Sequence, residues 1–184
     1  MTRDLVRQQL SDVAIDLFAE RGFECVTVEQ VAAAAGVSTR SVHRYFPAKE
    51  DMVVGALAAN GGLVKQALAA RSMDEPVMEA LHSAFAAMLR SRPQTIQDRK
   101  AIRLIASTPS LRARNVEKYL AWAELLTPLV EQRLDGADTS VRSSAIIQAG
   151  LAAFSVALTA WAETEETRPI DEMLRIAFRD LIRD

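Results

Sequence analysis

Between Gly36 and Phe46 the chain reads GVSTRSVHRYF, and its polar groups cluster at helical spacing. Arg40 and Arg44 stand four apart, one turn of helix, with Ser41, His43 and Tyr45 between and beside them. Two guanidiniums, an imidazole and three hydroxyl groups (with Thr39) suit a DNA groove. Arginine pairs bidentately with guanine in the major groove, and hydroxyls donate to phosphate oxygens. The competing reading is a solvated helix surface.

Such a face works only if something holds it still, and the flanking residues are suited to that. Thr27 with Gln30 three residues on is a capping box, and Val26 with Val31 is a hydrophobic staple, so a helix starts after Thr27. Gly36 ends that helix. Ser38 caps the next one, with Val37 and Val42 as its staple, and Pro47 stops it. Two short helices across a glycine turn make a helix-turn-helix. Its inner face is predicted to be Val31, Ala32, Ala35, Val42 and Phe46, packed on a first helix at 3–21 whose stripe is Leu10, Ala14, Leu17 and Phe18. Gly22 closes that first helix, in a Schellman turn that packs Phe23 back on Phe18.

Beyond Pro47 the pattern stays helical. Helices are expected at 48–70 (with a bend at Asn60–Gly62), 75–91, 94–106, 109–135, 139–165 and 170–183, punctuated by Pro93, Pro109, Gly136 and Pro169. The composition is alanine-rich, with 7 glycines and 6 prolines in 184 residues, and favours an all-α fold of about nine helices. The stretch 145–162 is mostly apolar. Gln148, Gly150, Ser155 and Thr159 interrupt it, which fits a helix in a bundle or dimer interface better than a membrane span. Cys25 is the only cysteine, so no intramolecular disulfide forms. It reads as a small packing residue in a cytoplasmic protein. Residues 1–12 are polar and contain no signal-peptide pattern.

Net charge is −2, so affinity for nucleic acid must come from local placement. Residues 90–118 carry eight Lys/Arg against two Asp/Glu, whereas 119–184 carry six against eleven. That central excess would suit an anionic ligand, and equally a solvated basic helix surface. With two histidines and one cysteine, none in a metal, nucleophile or phosphate-loop motif, neither an enzyme nor a metal or cofactor site is indicated.

The string TVEQVAAAAGVSTRSVHRYFPAKEDMV, from Thr27, resembles the TetR family of transcriptional regulators, and the match spans about Leu10 to Val54. Thr27, Ala35, Gly36, Val37, Ser38, Tyr45, Phe46, Lys49 and Glu50 stand where the family pattern places them. His43 replaces a frequent tyrosine, and Ala48 a frequent capping serine, a loss on the order of 1 kcal/mol. The resemblance implies a helix-turn-helix DNA-binding domain at 1–47 and an effector-binding and dimerisation domain at 48–184. It implies a homodimer on a double-stranded DNA operator with inverted half-sites, a repressor by family default, released by a small molecule.

The DNA-binding residues are then Thr27, Ser38, Thr39, Arg40, Ser41, His43, Arg44, Tyr45 and Lys49. Ile146, Leu151, Phe154, Leu158 and Trp161 are the expected dimer residues, and a purely intrachain core would use the same ones. The string Thr108–Arg114 with Trp122 is similar to a subgroup that includes mycofactocin-type actinobacterial regulators, some of which respond to acyl-CoA-like molecules. Arg103, Arg112, Arg114, Trp122 and Gln148 are the expected effector residues. The rival is a helical interaction module whose helix-turn-helix binds no DNA; a shift assay with specific and nonspecific DNA separates the two.

Overall fold

The computed structural model describes residues 3–58, 60–92, 94–163 and 168–182, and among these the regular structure is entirely α-helical. Pro93 and the predicted helix ends at 164–165 and 183 lie outside that set. The helices are α1 Arg3–Arg21, α2 Val28–Ala34, α3 Thr39–Tyr45, α4 Asp51–Ala58, α5 Asn60–Ala69, α6 Val77–Arg90, α7 Ile96–Ser107, α8 Pro109–Glu131, α9 Thr139–Glu163 and α10 Ile170–Phe178. With α4 and α5 counted as the two parts of the expected fourth helix, this is the nine-helix arrangement the pattern predicts.

The chain forms two compact units. The first comprises residues 1–59 and 95–116, the second residues 60–94 and 117–184. Helix α8 therefore supplies its opening turns to the first unit and the rest to the second.

The core of the first unit contains the predicted helix-turn-helix face. Val31, Ala32, Val42 and Phe46 are buried against Leu10, Ala14 and Phe18, and Ala35 packs at the edge. Ala101, Leu104 and Ile105 of α7 and Leu111 of α8 complete this core. Gly22 adopts φ 88° and its N–H donates to the Phe18 carbonyl at 2.9 Å. That single bond is the αL end of a helix, whereas the doubly bonded Schellman end occurs at Gly36. There the Val37 N–H donates to Ala32 O at 3.0 Å and the Gly36 N–H to Ala33 O at 3.2 Å, with Gly36 at φ 69°. Phe23 packs edge-on against Phe18 at 4.9 Å, as expected. Cys25 is exposed, contrary to its reading as a packing residue, because the inter-helix turn seats Phe23 and Val26 inward instead.

The second unit is built on α6, α9 and α10, with α5 against α6. Helix α9 has the length and apolarity of a membrane span, but it buries Ile147, Gly150, Leu151, Phe154, Ala157 and Trp161 as a core helix of this unit.

Candidate nucleic-acid interface and the core of the second unit

Helix α3 holds its two faces apart by packing. Val42 and Phe46 are fully buried, and Arg40, His43 and Arg44 are exposed. Tyr45 is half-buried, and the Arg44 guanidinium lies 5.1 Å from its ring centroid, which stiffens both side chains. The start of α3 is fixed by the Ser38 hydroxyl, which accepts from the Ser41 N–H at 3.2 Å and lies 3.0 Å from the Ser41 hydroxyl. The capping box of α2 is complete: Gln30 N–H donates to the Thr27 hydroxyl at 3.3 Å, and Thr27 N–H to Gln30 Oε1 at 2.9 Å. Thr27 and Ser38 are exposed, while Thr39 and Ser41 are half-buried. An ordered row of guanidinium, imidazole and hydroxyl groups thus stands on a helix whose orientation the core dictates.

Lys49 has a different placement from the one its motif position suggests. Its ammonium donates to the Phe23 carbonyl and lies 4.2 Å from the Phe23 ring centroid and 5.4 Å from that of Phe18. It ties the α1–α2 turn to the start of α4. Lys49→Met would leave the Phe23 carbonyl with only the long bond from Val26 N–H, at 3.5 Å. A loss of about 1–3 kcal/mol in stability is expected, read by urea unfolding. Unchanged stability with a salt slope of DNA binding shallower by about one would instead make Lys49 a phosphate contact.

With alanine at position 48, Asp51 supplies only the reciprocal half of a capping box. Its Oδ2 accepts from the Ala48 N–H at 3.1 Å, and its Oδ1 accepts from Arg114 Nε at 2.9 Å and Nη2 at 2.8 Å. Arg114 is therefore committed to a buried carboxylate within the first unit. Arg112 donates to the Ala106 carbonyl at 2.9 Å, and Lys100 pairs with Asp16 at 2.5 Å. Two cations of the segment 90–118 thus join α7 and α8 to α1 and α4. Local sequence does not reveal their acidic partners 63 and 84 residues away.

The five expected effector residues are divided between the two units. Arg103, Arg112 and Arg114 belong to the first unit, and Trp122 and Gln148 to the second. Gln148 is exposed on α9, whereas Trp122 is buried. An open groove of about 660 Å³, lined by Val6, Leu10, Val13, Ala34 and Val37 among others, contains none of them.

Trp122 belongs to an aromatic cluster within the second unit. Its ring centroid is 6.0 Å from Phe154, which stacks on Phe85 at 4.6 Å; Tyr119 meets Trp122 at 5.7 Å and Phe154 at 6.4 Å. The indole lies so close to α5 that a Cβ on Gly61 would be 2.5 Å from Trp122 Cδ1, so only glycine admits this packing. His82 sits edge-on to Phe178 at 5.3 Å. Burial, then the charge of Arg90, holds its imidazole below the usual histidine range, with Asp171 pulling the other way.

Of the expected dimer residues, Leu151, Phe154 and Trp161 are buried in this unit's own core, and Ile146 and Leu158 are half-buried. The exposed side of α9 is instead Val141, Ala145, Gln148, Ala152 and Val156, spaced three and four residues apart.

Comparison with known proteins agrees with this layout. Residues 10–56 match the bacterial regulatory proteins of the tetR family, and residues 75–184 match the MftR C-terminal domain. The chain is 29% identical over 177 residues to a Mycobacterium tuberculosis protein named for mycofactocin biosynthesis transcriptional regulation, MftR, covering 96% of this chain and 89% of that one. It is 32% identical over 119 residues to the HTH-type transcriptional regulator TcmR of Streptomyces glaucescens, covering 61% and 53%. Among solved structures, NalD of Pseudomonas aeruginosa, the secondary repressor of the MexAB-OprM multidrug efflux pump, superposes with a TM-score of 0.63 at 19% identity, covering 98% and 96%. Thermus thermophilus FadR, a transcriptional repressor in complex with lauroyl-CoA, gives 0.54 at 24% identity, covering 96% and 93%. The two structures share the fold.

Proposed function

The chain belongs to the TetR family of bacterial regulatory proteins, which are DNA-binding transcriptional regulators, and from that premise we propose that it is a cytoplasmic, effector-released repressor. In this reading a homodimer holds an inverted-repeat operator. Residues 1–47 form the DNA-binding domain, supported from below by α7 and the start of α8. Residues 48–184 carry the effector and the dimer contacts. The observation that carries the reading is α3, with Arg40, His43 and Arg44 exposed on one side and Val42 and Phe46 buried on the other. A solvated surface helix would not need this concentration of donors opposite a fully buried face.

One helix reads only a few base pairs, so two-fold symmetry is needed to double the contact, with half-sites about one helical turn apart. The test is a shift assay on labelled upstream DNA with excess nonspecific competitor. Arg40→Ala is expected to cost about 1–3 kcal/mol on the cognate site and to relax preference at one base position. Wild-type affinity and selectivity in that variant would remove α3 as the reading helix.

The effector is an acyl compound in this reading. Support comes from the aromatic core of the second unit and from the likeness of residues 75–184 to the MftR C-terminal domain. Release requires that the ligand prefer the state of the dimer that does not bind DNA, since equal affinity for both states shifts nothing. Titrating the operator complex with octanoyl-CoA, free CoA and octanoate is expected to show release by an acyl compound and none by CoA.

A further inference from the structure

Lys118 was not among the residues that the sequence marked. It lies on α8 in the second unit and is 7% exposed, with no hydrogen bond or ion pair to any described residue. Its Nζ is 4.0 Å from the ring centroid of Tyr119 and 5.1 Å from that of Trp122. Those rings lead directly to Phe154 and Phe85. An ammonium has three N–H donors, and ring faces replace only part of the solvation it loses on burial. A buried lysine kept solely for packing would serve better as an apolar side chain. The group that balances one desolvated ammonium is one carboxylate, and the surrounding rings suit the apolar remainder of the molecule carrying it. Burial also lowers the lysine pKa to about 7, so its charge is weakly held until an anion pairs with it.

We infer that Lys118 is the anchor for the carboxylate of an acidic effector whose apolar body packs against Trp122, Tyr119 and Phe154. The inference rests on the reading of the second unit as effector-binding, and it names the head group that unit accepts: a free acid.

The experiment is isothermal titration calorimetry on the full chain with octanoate and with octan-1-ol, an uncharged molecule of matched chain length. Wild-type protein is expected to bind octanoate about tenfold or more tighter than the alcohol, the margin of a charge-assisted hydrogen bond. Lys118→Met should lose that margin while its affinity for the alcohol stays within about twofold, and Lys118→Arg should keep part of it. Equal binding of acid and alcohol by the wild type would overturn the proposal, as would an octanoate affinity in Lys118→Met equal to that of the wild type. The operator titrations separate this from the broader reading. Release by octanoyl-CoA with no octanoate binding overturns the Lys118 site and leaves the effector-released repressor standing. Octanoate binding that depends on Lys118 yet never releases operator keeps the site and overturns the repressor's effector assignment.

Discussion

Val156→Arg should yield a well-folded monomer that has lost tight operator binding. Val156 is 63% exposed in the single chain, so arginine there meets solvent and leaves the fold of its own subunit undisturbed. Val141, Ala145, Gln148 and Ala152 share that side of α9. Apart from Gln148, this row of small and aliphatic side chains lets a second helix approach closely. If the two-fold partner packs there, each copy of the variant buries an unpaired charge against apolar atoms, at a cost of several kcal/mol. Linking two DNA heads raises affinity by roughly 10²–10⁴ over one head, and a monomer forfeits that factor. Sedimentation equilibrium, circular dichroism and the shift assay together read the outcome. A dimer with normal operator affinity would place the interface elsewhere. The comparison with Leu158→Arg is informative, because Leu158 is half-buried and its replacement damages the subunit as well.

The second large effect has the opposite sign. Lys118→Met should make the protein more stable at pH 7, on the order of 2–4 kcal/mol, because a linear apolar chain replaces a desolvated ammonium in the same space. The direction with pH follows from the depressed pKa. In the folded protein Lys118 titrates at about 7 against an ordinary 10.5. Between those values the unfolded chain binds more protons than the native one, so this group's contribution to stability rises with pH across that window. Below about pH 7 the full penalty is present, and near pH 10.5 it vanishes. The gap between variant and wild type should therefore be widest at or below neutrality and close towards pH 10. Taking the difference cancels the titration of the remaining groups. Urea unfolding across pH 6–10 measures it, and a variant less stable than wild type at pH 7 would show that the aromatic contacts of the ammonium outweigh its desolvation. A stabilising loss of a side chain is also what a residue kept for ligand binding predicts.

The helix-turn-helix was legible in the sequence because its determinants are local. A cap and its partner lie three residues apart, a staple spans five, and a glycine with positive φ ends a helix within two residues. The boundaries of α1 and the caps of α2 and α3 follow from such short-range rules, and so does the separation of Val42 and Phe46 from Arg40 and Arg44. The count and order of the later helices follow equally from proline, glycine and apolar spacing.

What the tertiary structure alone decided is where each charged or apolar side chain finds its partner. Arg114 and Lys118 are four residues apart in one basic segment, and nothing in that segment distinguishes them. Packing gives Arg114 a carboxylate from α4 and gives Lys118 only rings. Lys49 stands at a motif position facing DNA in expectation, yet its reach to the Phe23 carbonyl depends on how the α1–α2 turn folds back. Helix α9 is apolar or small on nearly every side, so its sequence has no polar face to mark the outside. Leu151, Phe154 and Trp161 turned inward because α6 and α10 present the surface they fill, and Val141 and Val156 were left facing out. Periodicity assigns a helix one apolar stripe; when a helix has two, only its neighbours decide which stripe is core.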